Sequence, residues 1–212
     1  RNQYKIFKEF TDDLSSRGVE LGIKHIANSS GTSDFKEFHE DMVRLGYSLS
    51  GLWDETANRE AIPVKPVAQM KAKIVRIREV PEGTPVGYNH SYITNRTTKV
   101  ATLPIGYSDG LPRGIREGYV SINGKKAKVL GSLCMDQMMV DVTDIDCKVL
   151  DEAIVYGYED EAMAINELAK LCSTNNIDIL SNTSRRVPRV YIKDGEIIDV
   201  VDEVLELYGL SV

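Results

Sequence analysis

Cysteine is scarce in this chain. Only Cys134, Cys147 and Cys172 occur in 212 residues, and their spacing suits no metal site. An odd set of isolated thiols argues against a disulfide framework and fits a reducing compartment, so a cytoplasmic location is expected. Basic residues are in the minority: 26 Lys and Arg against 32 Asp and Glu leave a net charge of −6. That balance excludes a general attraction to nucleic acid. No apolar run approaches the ~20 residues that span a bilayer, and no secretory leader pattern is visible, so no membrane contact is expected from this segment. Internal repeats and low-complexity tracts are missing too. What is present is an ordinary globular composition, 42% hydrophobic and 27% charged, at a length that allows one large domain or two small ones. The first residue is Arg1, not Met, and a fragment or processed product is expected.

The chain changes character part-way. Residues 3–17 place Tyr4, Ile6, Phe7, Phe10 and Leu14 at helical spacing, and Gly18 follows as a stop. "ELGIKHIANSSGT" then reads as a short buried strand and loop, residues 33–41 as a second amphipathic helix, and "MVRLGYSLSGL" as a second strand. Strand, helix and strand at this interval predict the βαβ unit of a parallel sheet. After "PVKPV" the sequence becomes strand-rich, with runs such as "MKAKIVRIREV", "KVATLPI" and "CMDQMMVDV". Asn123-Gly124 and Asp194-Gly195 are tight hairpin signals. A single helix is expected in "MAINELAKLCSTN", with Ile165, Leu168, Ala169, Leu171 and Cys172 on one side. A boundary near residues 60 to 66 separates α/β material from a mostly antiparallel β-domain. Two strands in about 60 residues cannot close and cover a parallel sheet.

Several stretches could carry chemistry. "HIANSSG" ends a predicted strand in small hydroxyl residues and free amides, which suits a phosphate and equally suits an ordinary helix cap. Arg44 could be a surface charge or could face a ligand acceptor, since it only donates; Gly46 permits close backbone approach. In "GYSDG" the pair Asp109-Gly110 is explained by a turn, but Tyr107 is not. A tyrosine becomes an acid–base group when nearby positive charge lowers its usual value of ~10. "CMDQMMVDV" alternates as a strand with polar groups at its start, or as an edge strand with methionine gap-fillers. His39 and His90 have no obvious partners. "RRVPRVY" reads as an exposed edge or an anion contact.

Taken in order, "KHIANSSGT", "MVRLGYSLSGL", "KPVAQMKAKIVRIREVPEG", "PVGYNHSY", "ATLPIGYSDGLPRG", "LGSLCMDQMMVDVT" and "RVPRVY" resemble one family, the pyridoxal-phosphate-dependent alanine racemases. The resemblance runs across nearly the whole chain. It implies the C-terminal part of a (β/α)8 barrel in residues 1–64 and a mostly antiparallel β-domain in residues 65–212 that carries a catalytic tyrosine. The implied activity interconverts L- and D-alanine, supplying D-alanine for cell-wall peptidoglycan. The implied cofactor is pyridoxal 5'-phosphate, and the implied assembly is a homodimer whose active sites are shared between subunits.

By that resemblance Ser29 and the backbone of Gly46 and Tyr47 bind the cofactor phosphate, Arg44 faces the pyridine nitrogen, and His25 lies beside Arg44. Tyr107 is the base on one face of the substrate α-carbon, a cofactor lysine serving the other. Met135 offers its amide to the substrate carboxylate, Asp136 orders the strand around it, and Tyr92 lines the access path. An arginine cannot protonate the ring nitrogen, which weakens the cofactor as an electron sink and favours rapid reprotonation.

Two departures bear on the phosphate contact and the pocket width. Tyr88-Asn89-His90-Ser91-Tyr92 stands where many relatives carry Tyr-Gly-Ala-Thr-Tyr, and Arg185 stands where some carry a phosphate-binding tyrosine. They leave open a serine racemase of the glycopeptide-resistance type. The family's cofactor lysine belongs near the start of the barrel, and no lysine here, Lys24 and Lys65 included, sits in a matching motif. This stretch alone is therefore expected to be inactive. A non-catalytic chain that supplies Tyr107 to a partner is one alternative. Another is a barrel-plus-β-domain decarboxylase, which would carry an acidic residue in place of Arg44.

Overall fold

The computed structural model describes residues 1–53, 63–159 and 161–210. The chain divides into two compact units, Arg1–Ala68 and Gln69–Val212. The boundary expected near 60 to 66 falls in part, at 60–62, outside the described residues.

The N-terminal unit opens with helix α1 (Asn2–Ser16). Tyr4, Phe7, Lys8, Thr11 and Leu14 recur every three or four residues and form its covered face. The Tyr4 ring stacks on Phe38 at 4.4 Å, and Phe38 stacks on Phe35 at 4.7 Å. The Tyr4 hydroxyl donates to Glu40 Oε1 at 2.6 Å. Ile6 and Phe10, expected on this face, are 65% and 62% exposed. They are four apart and share a stripe of their own beside the covered one. Gly18, at φ +75°, ends the helix, and the Val19 amide closes back on Leu14 O.

Neither expected strand of this unit forms a ladder. Residues 19–28 and 42–45 form neither helix nor strand ladder. They touch through two backbone bonds, from Asp41 N–H to Lys24 O and from Arg44 N–H to Ala27 O, and through Asp41, whose carboxylate accepts from both the amide and the ammonium of Lys24. Bonds at every third residue are too sparse for a parallel sheet, which needs an even series. The helix expected at 33–41 is also corrected. Helix α2 (Ser29–Asp34) ends at Phe35, whose φ −139° and ψ 83° leave the helical region. Only a 3-10 turn, Lys36–Phe38, follows.

The C-terminal unit is antiparallel β structure. Its strands are β1 (Met70–Lys73), β2 (Arg76–Val80), β3 (Pro85–Val86), β4 (Tyr92–Ile93), β5 (Thr98–Leu103), β6 (Tyr119–Ile122), β7 (Lys125–Lys128), β8 (Met138–Asp141), β9 (Glu152–Tyr156), β10 (Arg189–Lys193) and β11 (Glu196–Val201). One sheet has the order β1-β9-β6-β7 and another β2-β5-β8; β3-β4 and β10-β11 are two-stranded. A bridge between Val129 and Val140 links the end of β7 to β8. Ile74, Leu103, Val120, Ile122, Val129, Met138, Val140 and Val155 are buried between these elements. Alternation with half-buried neighbours is clear in β8, where Met138 and Val140 are buried and Met139 and Asp141 half-buried, while in β6 Val120, Ser121 and Ile122 are all buried, so that strand is covered on both faces. Both hairpin readings hold: Asn123-Gly124 and Asp194-Gly195 all have φ between +50° and +83°, as the type I′ turn demands.

Three readings change here. "MKAKIVRIREV" is two strands in different sheets. The chain crosses over at Ile74 and Val75, whose amides bond to Asp151 O and Thr102 O respectively. The helix in "MAINELAKLCSTN" is α3 (Ile165–Leu171), with Leu171 exposed. A second helix, α4 (Asn176–Ser181), follows it, capped by the Asn175 side chain on the Asp178 amide. In "CMDQMMVDV" only β8 is strand, for a reason that belongs to the candidate site.

Candidate active site

Tyr107 leaves β5 on a single 3-10 turn, Tyr107–Asp109. Gly106 makes that turn possible. A Cβ there would lie 2.3 Å from both Cys134 O and Met135 O, so no other residue lets the two segments close. Those carbonyls are used: Tyr107 N–H donates to Cys134 O and Ser108 N–H to Met135 O, both at 3.0 Å. Cys134 N–H donates in turn to Gln137 O. Residues 134–137 are therefore a tight turn serving a neighbouring turn, and the strand expected there begins only at Met138. The planned alternation of Cys134 and Asp136 with Met138 fails for the same reason.

A second set of bonds fixes the pair of turns. Asp109 is 7% exposed. Its Oδ2 accepts from Gly106 N–H at 2.7 Å. Its Oδ1 accepts from Arg186 Nε at 2.7 Å, while Arg186 Nη2 donates to Asp136 Oδ1 at 2.6 Å. Ser184 N–H closes on Asp109 O. The guanidinium between Asp109 and Asp136 is held still more firmly protonated than usual, first by the bond to Asp109 and then by that to Asp136. The Arg113 guanidinium lies 4.3 Å above the Tyr107 ring, a cation–π contact. Met135 is half exposed, and among the described residues its N–H has no acceptor. Burial pushes the Cys134 thiol up, which keeps it a neutral thiol at pH 7.

The segment before this turn holds a second tyrosine. Ser132 N–H donates to Ser91 Oγ at 2.8 Å, docking the turn Tyr88–His90 on the same stretch of chain. That turn is unusual: Gly87, Asn89 and His90 all have positive φ, at +79°, +55° and +52°. Non-glycine residues in that region gather at functional sites. Tyr88 is 67% exposed. Tyr92, by contrast, packs against Val80, Val86, Val100 and Leu130. Arg185 is exposed and lies 3.6 Å from Glu203.

In the N-terminal unit the structure brings together Ser29, Gly46 and Tyr47. The helix cap is Asn28, whose Oδ1 accepts from Gly31 N–H. Ser29 is thereby free of capping and sits buried. Its Oγ accepts from Gly46 N–H at 2.8 Å and from the Ser48 hydroxyl at 3.1 Å. Ser30 Oγ and Tyr47 Oη share a 2.6 Å bond. Hydroxyls and amides thus converge from two segments. Among the described residues the Arg44 guanidinium reaches Ile26 O, at 3.3 Å, and no carboxylate. His25 is exposed. His39, read as unpartnered, has Nε2 2.8 Å from Thr32 O and is structural.

Arg186 was singled out only as part of "RRVPRVY", an exposed edge or an anion contact, and its bonds to Asp109 and Asp136 were not foreseen; nor were the Arg113 contact and the positive-φ turn at Tyr88. Arg186 lies 77 residues from Asp109, so no local pattern joins them. The run of Gly, Asn and His at 87, 89 and 90 was a signal available for the Tyr88 turn.

Residues 67–191 match the model of the alanine racemase C-terminal domain, and residues 1–54 that of the alanine racemase N-terminal domain. The chain is 39% identical to alanine racemase 2 of Caldanaerobacter subterraneus subsp. tengcongensis over 94% of its own length and 52% of that protein. It is 42% identical to alanine racemase of Halothermothrix orenii over 89% of its length and 51% of that protein. Among solved structures, alanine racemase of Clostridium difficile 630 in complex with cycloserine superposes with a TM-score of 0.90 at 34% identity, covering 95% of this chain and 54% of that one. The Bartonella henselae enzyme with covalently bound pyridoxal phosphate gives 0.74 at 30%, covering 90% and 52%. The chain spans about half the length of the curated relatives it matches. Its fold is the corresponding part of theirs, the C-terminal portion of a barrel followed by an antiparallel β-domain.

Proposed function

The chain belongs to the alanine racemase family, and on that premise we propose that it is part of a pyridoxal-phosphate-dependent enzyme that interconverts L- and D-alanine, supplying D-alanine for peptidoglycan. Residues 1–64 are then barrel and residues 65–212 the β-domain, in a cytoplasmic homodimer. The reading is supported above all by one juxtaposition: the Tyr107 turn and the Met135 turn are bonded backbone to backbone. A proton carrier and a free amide for a carboxylate thereby stand side by side.

The donor set of the N-terminal unit fits the cofactor. A buried serine hydroxyl, neighbouring hydroxyls and the amides at Gly46 and Tyr47 suit a phosphate dianion. An arginine without a carboxylate partner among the described residues suits a ring nitrogen that accepts. Bound pyridoxal phosphate withdraws electrons from the substrate α-carbon and loosens its proton. Ser29, Gly46 and Tyr47 would hold its phosphate, and Arg44 would donate to its ring nitrogen without giving up the guanidinium proton. Tyr107 moves a proton at one face of the α-carbon of a substrate held at the barrel of the second subunit. The Met135 amide orients the substrate carboxylate, Asp136 holds its turn through Arg186, and Tyr92 backs the access path. The lysine for the opposite face is expected from parts of the family fold that these residues do not span, so this stretch alone is proposed to be inactive.

A second reading is carried by a specific observation. Tyr88 is far more exposed than Tyr107, stands on a turn with three positive-φ residues, and docks on the same segment. It assigns the moving proton to Tyr88 and leaves Tyr107 to shape the site. The overall reading is tested on the gene product that contains these residues, supplied with pyridoxal phosphate and with L-alanine or L-serine. D-Alanine formation is expected. Preference for L-serine would move the assignment to a serine racemase, and no D-product from either would refute it.

A further inference from the structure

Arg186 occupies a position that no simple surface role explains. Its guanidinium bridges a buried carboxylate, Asp109, and an exposed one, Asp136. These belong to the two turns that carry Tyr107 and Met135. Asp109 is committed in three directions at once: to Gly106 N–H, to Arg186 Nε, and through its carbonyl to Ser184 N–H. The glycines on either side leave the turn no slack. A Cβ at Gly106 would strike Cys134 O and Met135 O, and one at Gly110 would lie 2.1 Å from Asn182 O. Three chain segments, 106–110, 134–137 and 182–186, are thus packed backbone against backbone, and a single side chain spans two of them.

We propose that Arg186 is a positioning residue. Its forked bond to Asp109 and Asp136 sets the separation between the Tyr107 side chain and the Met135 amide, and so the alignment of proton transfer with carboxylate binding. This rests on the function proposed above. A guanidinium suits the task because its planar fork fixes two acceptors at once, which a lysine point charge cannot do. The backbone bonds alone leave the outer edge of the 134–137 turn untethered, since Asp136 has only Arg186 among the described residues.

The test uses Arg186→Gln and Arg186→Lys in the gene product that contains these residues. Amide hydrogen exchange at Tyr107 and Ser108 is read beside turnover per folded molecule, well below the thermal midpoint. Faster exchange at these two amides is expected in both variants. Turnover should fall on the order of 10²-fold in Arg186→Gln, as for a small misplacement of reacting groups, and less in Arg186→Lys, which keeps one arm. Unchanged exchange overturns the clamp. Faster exchange with undiminished turnover per folded molecule overturns the positioning role and leaves a purely structural one. Should Arg186→Gln fail to fold, the same two readouts on Arg186→Lys decide. A wild-type protein that racemises neither amino acid removes the enzymatic reading and the positioning role with it; the exchange data then still report separately on whether the clamp exists.

Discussion

In the C-terminal unit the candidate residues stand on turns whose backbone groups are already bonded to one another, in a unit whose sheets bury an apolar core. In the N-terminal unit Ser29 opens the short helix α2, Gly46 and Tyr47 open a 3-10 turn, and His25 and Arg44 stand on unpaired chain, the two stretches being joined by two backbone bonds and a cluster of hydroxyls. The first arrangement fixes a phenol and an amide in place before any ligand arrives. The second holds donors that pair with each other and are free to be re-paired by a phosphate. Preorganisation matters most where a proton is transferred, because reacting atoms must be aligned; a phosphate can be met by several donors and tolerates adjustment. The difference in bonding follows the difference in proposed task.

The largest test of this contrast sets the two tyrosines against each other. Removing the proton carrier should cost about 10²- to 10⁴-fold in kcat. Tyr107→Phe is expected to show that loss, with Tyr88→Phe losing less than about tenfold. The reverse order would hand the role to Tyr88.

The apolar core is tested next by unfolding the 212-residue chain in urea. Leu103→Ala, at a fully buried position, should lower stability by about 2–5 kcal/mol. Ile23→Ala, at a position 70% exposed in the N-terminal unit, should stay within about 0.5 kcal/mol. Equal losses would erase the distinction between the units.

Glycines give a finer probe. Gly106→Ala forces a Cβ onto two carbonyls and should cost about 1–3 kcal/mol. Gly46→Ala meets only Ser29 Oγ, at an ordinary 3.6 Å, and a smaller loss is expected by the same urea measurement.

The smallest effect is a pH dependence confined to the N-terminal unit. Hydrogen bonds from the Lys24 ammonium and amide hold the Asp41 carboxyl below its usual range. A lowered folded value means that the unfolded chain takes up the proton first. The stabilisation is therefore complete above about pH 4, the ordinary aspartate range, and is lost as the pH falls through the lowered value. Asp41→Asn should flatten this acid-side slope in hydrogen exchange around Lys24, and a slope unchanged by the substitution would count against the link.

Much of the β-domain was legible because its cues are local. Asn123-Gly124 and Asp194-Gly195 specify left-handed turn residues within two positions, and the run "KVATLPI" specifies a strand that is found as β5. Readings failed where backbone partners come from afar. "MKAKIVRIREV" carries no local break, yet Ile74 and Val75 bond to different sheets. "CMDQ" alternates like a strand, but its carbonyls are claimed by Tyr107 and Ser108. The hydroxyl cluster at Ser29 was readable as a pattern, while its convergence with Gly46 and Ser48 depended on how the start of α2 meets the 3-10 turn at Tyr47–Ser50. Tyr107 stood out as unexplained by its turn; the exposure of Tyr88 could not be read from residues alone.

The sequence by itself determined the class of this protein. The ordered motifs from "KHIANSSGT" to "RVPRVY", the hairpin dipeptides and the alternating strands are short-range statements, and short-range geometry depends only on neighbouring residues. Which carbonyl receives which amide, which arginine joins Asp109 to Asp136, and which tyrosine stays in solvent were decided by the tertiary structure. Those pairings connect residues tens of positions apart, and the free energy of a buried polar group depends on the partner it meets, not on where that partner lies in the chain.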